Sequence, residues 1–173
     1  MTKQLSNQKA EAKSDVKGAS PAFSVASQRS RADDLAVLAR NEKFIREAYR
    51  LAEIKDIPGW VACFNDEGTF TNEAAGITYR GPNEVGRPVE IFAQAFPDMH
   101  RELYNVYATG DIVVVELSLN GRNTGPLEQP NGTVPATGKR MKAPCCDVFR
   151  LKNGKIQSFD CYPIITEASW LPD

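Results

Sequence analysis

The chain has 173 residues, of which 42% are hydrophobic and 25% are charged, and its formal net charge at pH 7 is −1. These values are ordinary for one soluble globular domain. The near-neutral charge gives no basic surface for nucleic acid and no attraction to an anionic membrane. No apolar run approaches the roughly 20 residues that span a bilayer, and the N-terminus lacks an apolar signal core. We therefore expect a cytoplasmic protein without nucleic-acid or membrane partners.

Residues that bind metals or act as nucleophiles are few. The chain has four cysteines, Cys63, Cys145, Cys146 and Cys161, with no CxxC pair, and a single histidine, His100. Zinc sites usually combine spaced cysteines and histidines. We predict no metal site and no cofactor.

The N-terminal segment, residues 1–31, is rich in Lys, Ser, Gln and Ala and has only scattered apolar positions. Such a composition cannot bury enough surface to offset the entropy lost on ordering. We predict a disordered tail over 1–31, followed by one folded domain over 32–173.

Helical periodicity begins after this tail. Apolar residues recur every three or four positions from Asp33 to about Ile54, which predicts an amphipathic helix. Pro58 is suited to the start of a short second helix. A third helix is predicted from Gly81 to Phe96.

Strand patterns dominate the rest of the chain. Short strands are predicted over 68–71 and 77–79, and long strands over 99–107 and 112–120, where apolar and polar residues alternate. The stretch 125–138 carries three prolines and three glycines, which predicts a long loop.

The segment Lys142–Pro163 is predicted to be a β-hairpin, because Asn-Gly at positions 153–154 is the strongest short hairpin signal. Side chains alternate along a strand. The face that we expect to point inward carries Asp147, Phe149, Phe159 and Cys161. A carboxyl group and a thiol would then line one wall of a cavity.

The order of these elements predicts the fold class. Helices come first, one helix separates short from long strands, and an antiparallel meander follows. This order is typical of an α+β protein in which helices cover one face of a strongly curved antiparallel sheet. We predict a cone-shaped barrel with a cavity between the helices and the sheet.

A series of short motifs covers about residues 34–163: FAQAFPD, TGD followed by valines, NGRNTG, PATGKR, DVFR and NGKI. In order and spacing, the series resembles the nuclear transport factor 2-like superfamily, in particular the SnoaL-like polyketide cyclases and their ketosteroid isomerase relatives. The resemblance implies an α+β cone with an apolar pocket, commonly dimeric. Some members of the superfamily carry out proton transfer there, and others only bind ligands.

The resemblance assigns a role to Asp147. In the isomerases the matching acid stays protonated in an apolar site and donates a hydrogen bond to a developing oxyanion. Tyr49 roughly matches the tyrosine that completes that oxyanion hole. From the residues alone, Asp147 could instead pair with a neighbouring Arg or Tyr or lie at the rim, and Tyr49 could be a core residue.

The general base is less well defined. The isomerases take theirs from the position that aligns with Asn72 or Glu73, and of these only Glu73 can usefully accept a proton. The cyclases have an aspartate where this chain has Cys161, and Asp160 should point to the opposite face. His100 is a further candidate, because an imidazole can act as base or acid at neutral pH.

Three interpretations of function stay open. The first is a cofactor-independent enzyme that moves a proton next to a carbonyl, as an aldol-type cyclase or a double-bond isomerase. The second is a ligand-binding module of the same fold, and the third is an epoxide hydrolase, which would need two acids around an arginine such as Arg101 or Arg150.

We expect two partners, a hydrophobic small molecule and a second copy of the chain. The predicted ligand-binding residues are Asn72, Trp60, Val115, Leu117, Cys145, Phe149, Phe159 and Cys161. The outer face of the sheet, predicted to form the homodimer contact, carries Glu116, Ser118, Asn120, Val148 and Arg150.

Overall fold

The structure is a computed structural model that describes residues 31–171. The predicted tail lies outside these residues except for Arg31, which already belongs to the first helix. Among the described residues, none of the helices combines the length and the hydrophobicity that a bilayer crossing requires.

The helices of the described chain are α1 (Arg31–Glu53), α2 (Ile57–Ala62) and α3 (Arg87–Ala95). Helix α1 buries one face, which includes Ile45, Ala48 and Tyr49. Asp56 caps the start of helix α2: its carboxylate accepts a hydrogen bond from the Gly59 N–H at 2.9 Å and so satisfies a free donor of the first turn. Helix α3 is shorter than predicted, because residues 81–86 form turns rather than a helix.

The strands are β1 (Phe64–Asn72), β2 (Ile77–Arg80), β3 (His100–Thr109), β4 (Ile112–Arg122), β5 (Leu127–Gln129), β6 (Gly132–Val134), β7 (Arg140–Lys152), β8 (Lys155–Pro163) and β9 (Trp170–Leu171). The main sheet has the order β2-β1-β8-β7-β4-β3, and β9 pairs with the start of β7. The β1–β8 pair is parallel and the other pairs are antiparallel. The mostly antiparallel α+β architecture is confirmed.

The sheet is bent rather than closed. In the described chain, β2 and β3 are the two edges of the sheet and do not pair with each other, so the curved sheet of the predicted cone is open along one side. Register shifts occur in β1, β3 and the β7–β8 pair. Bulges of this kind bend and twist strands, which lets the sheet wrap around the helices.

The stretch 125–138, predicted to be a long loop, contains two short strands. Strands β5 and β6 form a small hairpin within it, with Leu127 opposite Val134. Gly132 has a positive φ of 123°, which glycine adopts without strain. Arg87 on α3 and Glu128 on β5 form an ion pair at 2.7 Å, which connects this hairpin to the helix layer.

The β7–β8 hairpin matches its prediction. Asn153 and Gly154 have positive φ values of 55° and 76°, as a type I′ turn requires. Asp147 lies opposite Cys161, and Phe149 lies opposite Phe159. All four side chains are buried on the face that packs against the helices. The core therefore lies between the helices and this face of the sheet.

The opposite face of the sheet is polar and partly aromatic. Glu116 accepts hydrogen bonds from Asn105 and Tyr107, and Tyr104 bonds to Ser118. Tyr104 and Tyr107 are still 50% and 53% exposed. Amphipathic tyrosines on a broad surface are typical of protein interfaces, and we propose that this face forms a homodimer contact.

Light scattering tests this proposal. We expect a mass near twice the 19.1 kDa of one chain at micromolar concentration, and we expect Tyr104→Lys to shift the protein to a monomer, since central aromatic residues dominate interface energies. Leu35→Lys, at an exposed position on α1, is the matched control and should leave the mass unchanged. A wild-type monomer at this concentration would exclude the dimer.

Candidate functional site

A cavity of about 40 Å³ lies between the three helices and the sheet. Most of its wall is apolar and comes from Trp60, Phe70, Pro88, Val89, Phe92, Met99, Leu119 and Phe159. Four side chains bring polar atoms to the same cavity: Tyr49, Arg101, Asp147 and Cys161. An apolar cavity with a few convergent polar groups is the usual form of a small-molecule site.

Asp147 is the most enclosed polar group of the cavity, with 2% of its surface exposed. Strand β7 places it opposite Val115 on one side and Cys161 on the other. The Tyr49 hydroxyl donates a hydrogen bond to Asp147 Oδ2 at 2.6 Å. The Cys145 thiol donates to Oδ1 at 3.2 Å. Both carboxyl oxygens therefore have a partner from the protein.

Burial controls the protonation of this group. Burial raises the pKa of Asp147 above its ordinary value of 3.8, although the hydrogen bonds from Tyr49 and Cys145 and the charge of Arg101 act in the opposite direction. Burial, followed by the neighbouring Asp147, also raises the pKa of Tyr49 well above 10.0. The neutral forms of both groups are favoured. When both groups are neutral, the Tyr49 hydroxyl proton forms the hydrogen bond to Asp147. The proton of the Asp147 carboxyl group then remains available for a further acceptor.

Two thiols lie against the carboxyl group. The Sγ atoms of Cys145 and Cys161 are 3.7 Å apart, and these atoms and an Asp147 oxygen lie within 4.8 Å of one another. This spacing would suit the ligands of one metal ion, but a metal requires thiolates. The hydrogen bond with Cys145, followed by burial, raises the pKa of Cys161 well above 9.0. The environment therefore favours neutral thiols, and the absence of a metal stays a prediction.

The structure brings several predicted site residues together. Tyr49, Trp60, Asp147, Phe159 and Cys161 line one cavity. Trp60 is fixed by a hydrogen bond from its Nε1 to the Val85 carbonyl at 2.8 Å. These side chains come from α1, α2, β7 and β8. The cavity is therefore assembled from both halves of the chain.

Four other predicted ligand-binding residues lie behind the wall. Val115, Leu117 and Phe149 are buried in the core without lining the cavity. Cys145 does not line it either but contacts two residues that do, Asp147 and Cys161. Phe149 packs against Phe159 with ring centroids 4.3 Å apart. These residues support the wall of the cavity and do not form its surface.

Asn72 lies in a different place from its prediction. It lines an outer groove rather than the cavity, and its side-chain oxygen accepts a hydrogen bond from the Ala75 N–H at 3.1 Å. This contact stabilises the turn between β1 and β2. The isomerase-like position for a general base is therefore not in contact with Asp147.

The two base candidates do not line the cavity. The side chain of His100 is 65% exposed and its Nδ1 lies 3.1 Å from Glu53 Oε1. Strand alternation explains this position, since Met99 and Arg101 on either side of His100 take the inward places. Glu73 is exposed in the turn after β1, and only its backbone contacts the site strand, through an N–H···O bond to Cys161 at 2.9 Å.

Sequence reasoning missed part of the cavity wall. Arg101 on β3 and Met99, just before that strand, line the cavity, as do Val89 and Phe92 from α3. The sequence does contain the periodicity that places each pair on one face. Met99 and Arg101 are two positions apart, as on one face of a strand, and Val89 and Phe92 are about one helical turn apart. The sequence did not show that the start of β3 approaches α3.

The outer groove adjoins the cavity. It has a volume of about 380 Å³ and lies between the β1–β2 turn, α3 and the β5–β6 hairpin. Pro88 and Phe92 line both the groove and the cavity. Ligand sites usually enclose about 300–1,000 Å³, a range that the groove satisfies and the cavity alone does not. We infer that the Phe92 side chain separates the groove from the cavity, and that a ligand which occupies both must displace it.

Replacing Phe92 by Ala is expected to join the two spaces. The association rate of the neutral dye N-phenyl-1-naphthylamine, followed by stopped-flow fluorescence, should rise severalfold because a half-buried barrier is removed. Ile91→Ala is the matched control, since Ile91 lines the groove alone. Equal rates for the wild type and Phe92→Ala would show that ligands enter elsewhere.

Comparison with known proteins agrees with this geometry. The fold and the enclosed acid define the class of small α+β proteins with an apolar pocket under a curved sheet. The model of the SnoaL-like domain family matches residues 45–159, and the chain belongs to this family. A comparison with curated protein sequences gave no match.

Solved structures share the fold at low sequence identity. A candidate SnoaL-like polyketide cyclase from Jannaschia sp. CCS1 is 19% identical with a TM-score of 0.64, over 73% of this chain and 87% of that one. A protein with a ketosteroid isomerase-like fold from Catenulispora acidiphila is 17% identical with a TM-score of 0.59, over 73% and 87%. The epoxide hydrolase/cyclase-like enzyme SalBIII of salinomycin pyran ring formation is 20% identical with a TM-score of 0.60, over 76% and 95%.

Proposed function

We propose that this protein binds a hydrophobic, carbonyl-bearing small molecule and moves a proton on the carbon next to that carbonyl, as in an aldol-type cyclisation or a double-bond isomerisation. The observation that supports this proposal is the enclosed Asp147 carboxyl group, hydrogen-bonded to Tyr49 at 2.6 Å and facing an apolar cavity. No cofactor is required for this chemistry.

The hydrogen-bonded pair supplies the activation. Tyr49 donates to Asp147 and fixes the carboxyl group, so the proton of a neutral Asp147 is free to bond to a ligand carbonyl. Removal of a proton from the adjacent carbon makes that oxygen an enolate. A donor held in place in an enclosed apolar site stabilises the developing charge far more than water does.

The same carboxyl group can complete the transfer. Among the described residues that line the cavity, Asp147 is the only acid and no histidine is present. A carboxyl group has two oxygens, so one can give its proton to the carbonyl oxygen while the other takes the proton from carbon. The group ends neutral, as it began, and the ligand has become an enol that can react at carbon or be protonated at a new position.

A second candidate function is ligand binding without turnover. The observation that favours it is the same lack of a second acid or an imidazole in the described cavity wall, because efficient proton transfer usually uses separate acid and base groups. Epoxide hydrolysis would need two acids around an arginine. Arg101 shares the cavity with Asp147 alone, so we do not propose it.

Proton exchange separates the two functions. Benzylacetone in D₂O is a hydrophobic ketone whose protons next to the carbonyl can be followed by NMR while calorimetry measures its binding. Accelerated exchange that saturates with ketone concentration supports the enzyme. Binding without accelerated exchange supports the binding module. Native mass spectrometry of the purified protein then searches for the physiological ligand.

A further inference from the structure

Arg101 is a cation in the wall of an otherwise apolar cavity. It lies on β3 opposite Leu119, and both residues line the cavity that contains Asp147. The Arg101 side chain also lines a small surface depression between the end of α1 and α3, together with Lys55 and Met99. Arg101 therefore lies where the cavity comes nearest to solvent on this side of the molecule.

The guanidinium group of Arg101 has no ion pair or side-chain hydrogen bond within the described residues. Four other arginines, Arg46, Arg50, Arg87 and Arg150, each contact a carboxylate. The nearby Glu53 bonds instead to the Arg101 backbone N–H at 2.7 Å and to His100 at 3.1 Å. The guanidinium thus lines the cavity without a side-chain partner among the described residues.

No polar side-chain atom of the described residues is both buried and without a hydrogen-bond partner, so the half-buried guanidinium of Arg101 reaches solvent and is open to a ligand. A guanidinium presents its donors as a planar fork that matches a carboxylate in a bidentate manner. Asp147 does not provide that partner, because its oxygens accept from Tyr49 and Cys145 and no contact joins it to Arg101 within 4 Å. The guanidinium is therefore available to a carboxylate that enters the cavity with the ligand.

We propose that the ligand is a hydrophobic keto acid, whose carboxylate binds the guanidinium of Arg101 while its carbonyl oxygen bonds to Asp147. The inference rests on the proposed function of the same cavity and adds the charge of the substrate. It explains why one wall of an apolar cavity carries a permanent positive charge. It also fixes the orientation of the ligand, because its two polar ends meet different groups.

A matched pair of compounds tests the charge without changing the protein. Benzoylpropionate and its methyl ester share the ketone and the aromatic ring, and only the first carries a carboxylate. Isothermal titration calorimetry should show the acid binding to the wild type about tenfold more tightly than the ester. Equal affinities for acid and ester would overturn the proposal.

Variants then locate the effect. Arg101→Met should reduce the ratio of acid to ester affinity to about one while ester binding is retained, and Arg101→Lys should restore part of the ratio because it keeps the charge without the fork. Arg40→Met, on the exposed face of α1, controls for the lost net charge and should leave the ratio unchanged. A ratio that survives in Arg101→Met would overturn the assignment.

The results also separate this inference from the proposed function. If the ester binds and exchanges protons but the acid has no advantage, only the keto acid assignment fails. If neither compound binds, the cavity is not a site for aromatic ketones, and both proposals fail. Circular dichroism of each variant shows whether a lost signal reflects unfolding.

Discussion

Replacing Asp147 by Leu is expected to lower the rate of proton exchange in a bound ketone by about 100- to 1,000-fold, the range seen when one donor to an oxyanion is removed. Leu is larger than Asp, so this variant fills part of the cavity of about 40 Å³ and also loses the proton that bonds to the carbonyl. The protein should still fold, because a neutral buried carboxyl group adds little stability and Leu is apolar. The measurement is the NMR exchange rate at saturating ketone, with circular dichroism to follow folding.

Two further variants sharpen the result. Asp147→Asn keeps the shape and a donor, so it should bind the ketone but exchange its protons slowly, since an amide cannot carry a proton from carbon. Asp160→Asn changes the neighbouring acid, which pairs with Arg150 on the outer face, and should exchange at the wild-type rate. An Asp147→Leu variant with wild-type exchange would remove Asp147 from the mechanism.

The hairpin that carries Asp147 could be predicted in detail from the sequence. Its turn is encoded by two adjacent residues, and its inward face follows from strict alternation, so both depend on local rules. The helix that supplies Tyr49 is likewise encoded by its own periodicity. The contact between Tyr49 and Asp147, 98 positions apart, required the family resemblance in addition, because no local pattern relates a helix residue to a strand residue.

The positions of His100 and Arg101 show where local rules stop. Both lie at the start of β3, and alternation requires that one face the cavity and the other solvent. The sequence does not show which of the two residues faces the cavity, because this depends on the orientation in which the strand leaves the turn at 96–99. Histidine is the more familiar catalytic residue type, and His100 was therefore the base candidate. In the structure Arg101 lines the cavity, whereas the side chain of His100 is 65% exposed.

The remaining prediction concerns stability and pH. In the folded protein burial raises the pKa of Asp147, whereas the unfolded chain has the ordinary value near 3.8. Between these two pKa values the folded protein holds a proton that the unfolded chain has released. Unfolding then releases a proton, so the free energy of unfolding falls as the pH rises, by up to about 1.4 kcal/mol per pH unit.

Asp147→Asn isolates this contribution, because the amide does not titrate. We expect the difference in unfolding free energy between Asp147→Asn and the wild type to increase in favour of the variant from pH 4 upward, and to level off above the folded pKa of Asp147. Urea denaturation at a series of pH values measures it. A difference that moves in favour of the wild type with rising pH would mean that Asp147 is ionised in the folded protein, held by Tyr49, Cys145 and the charge of Arg101, and the donor role proposed for it would then fail.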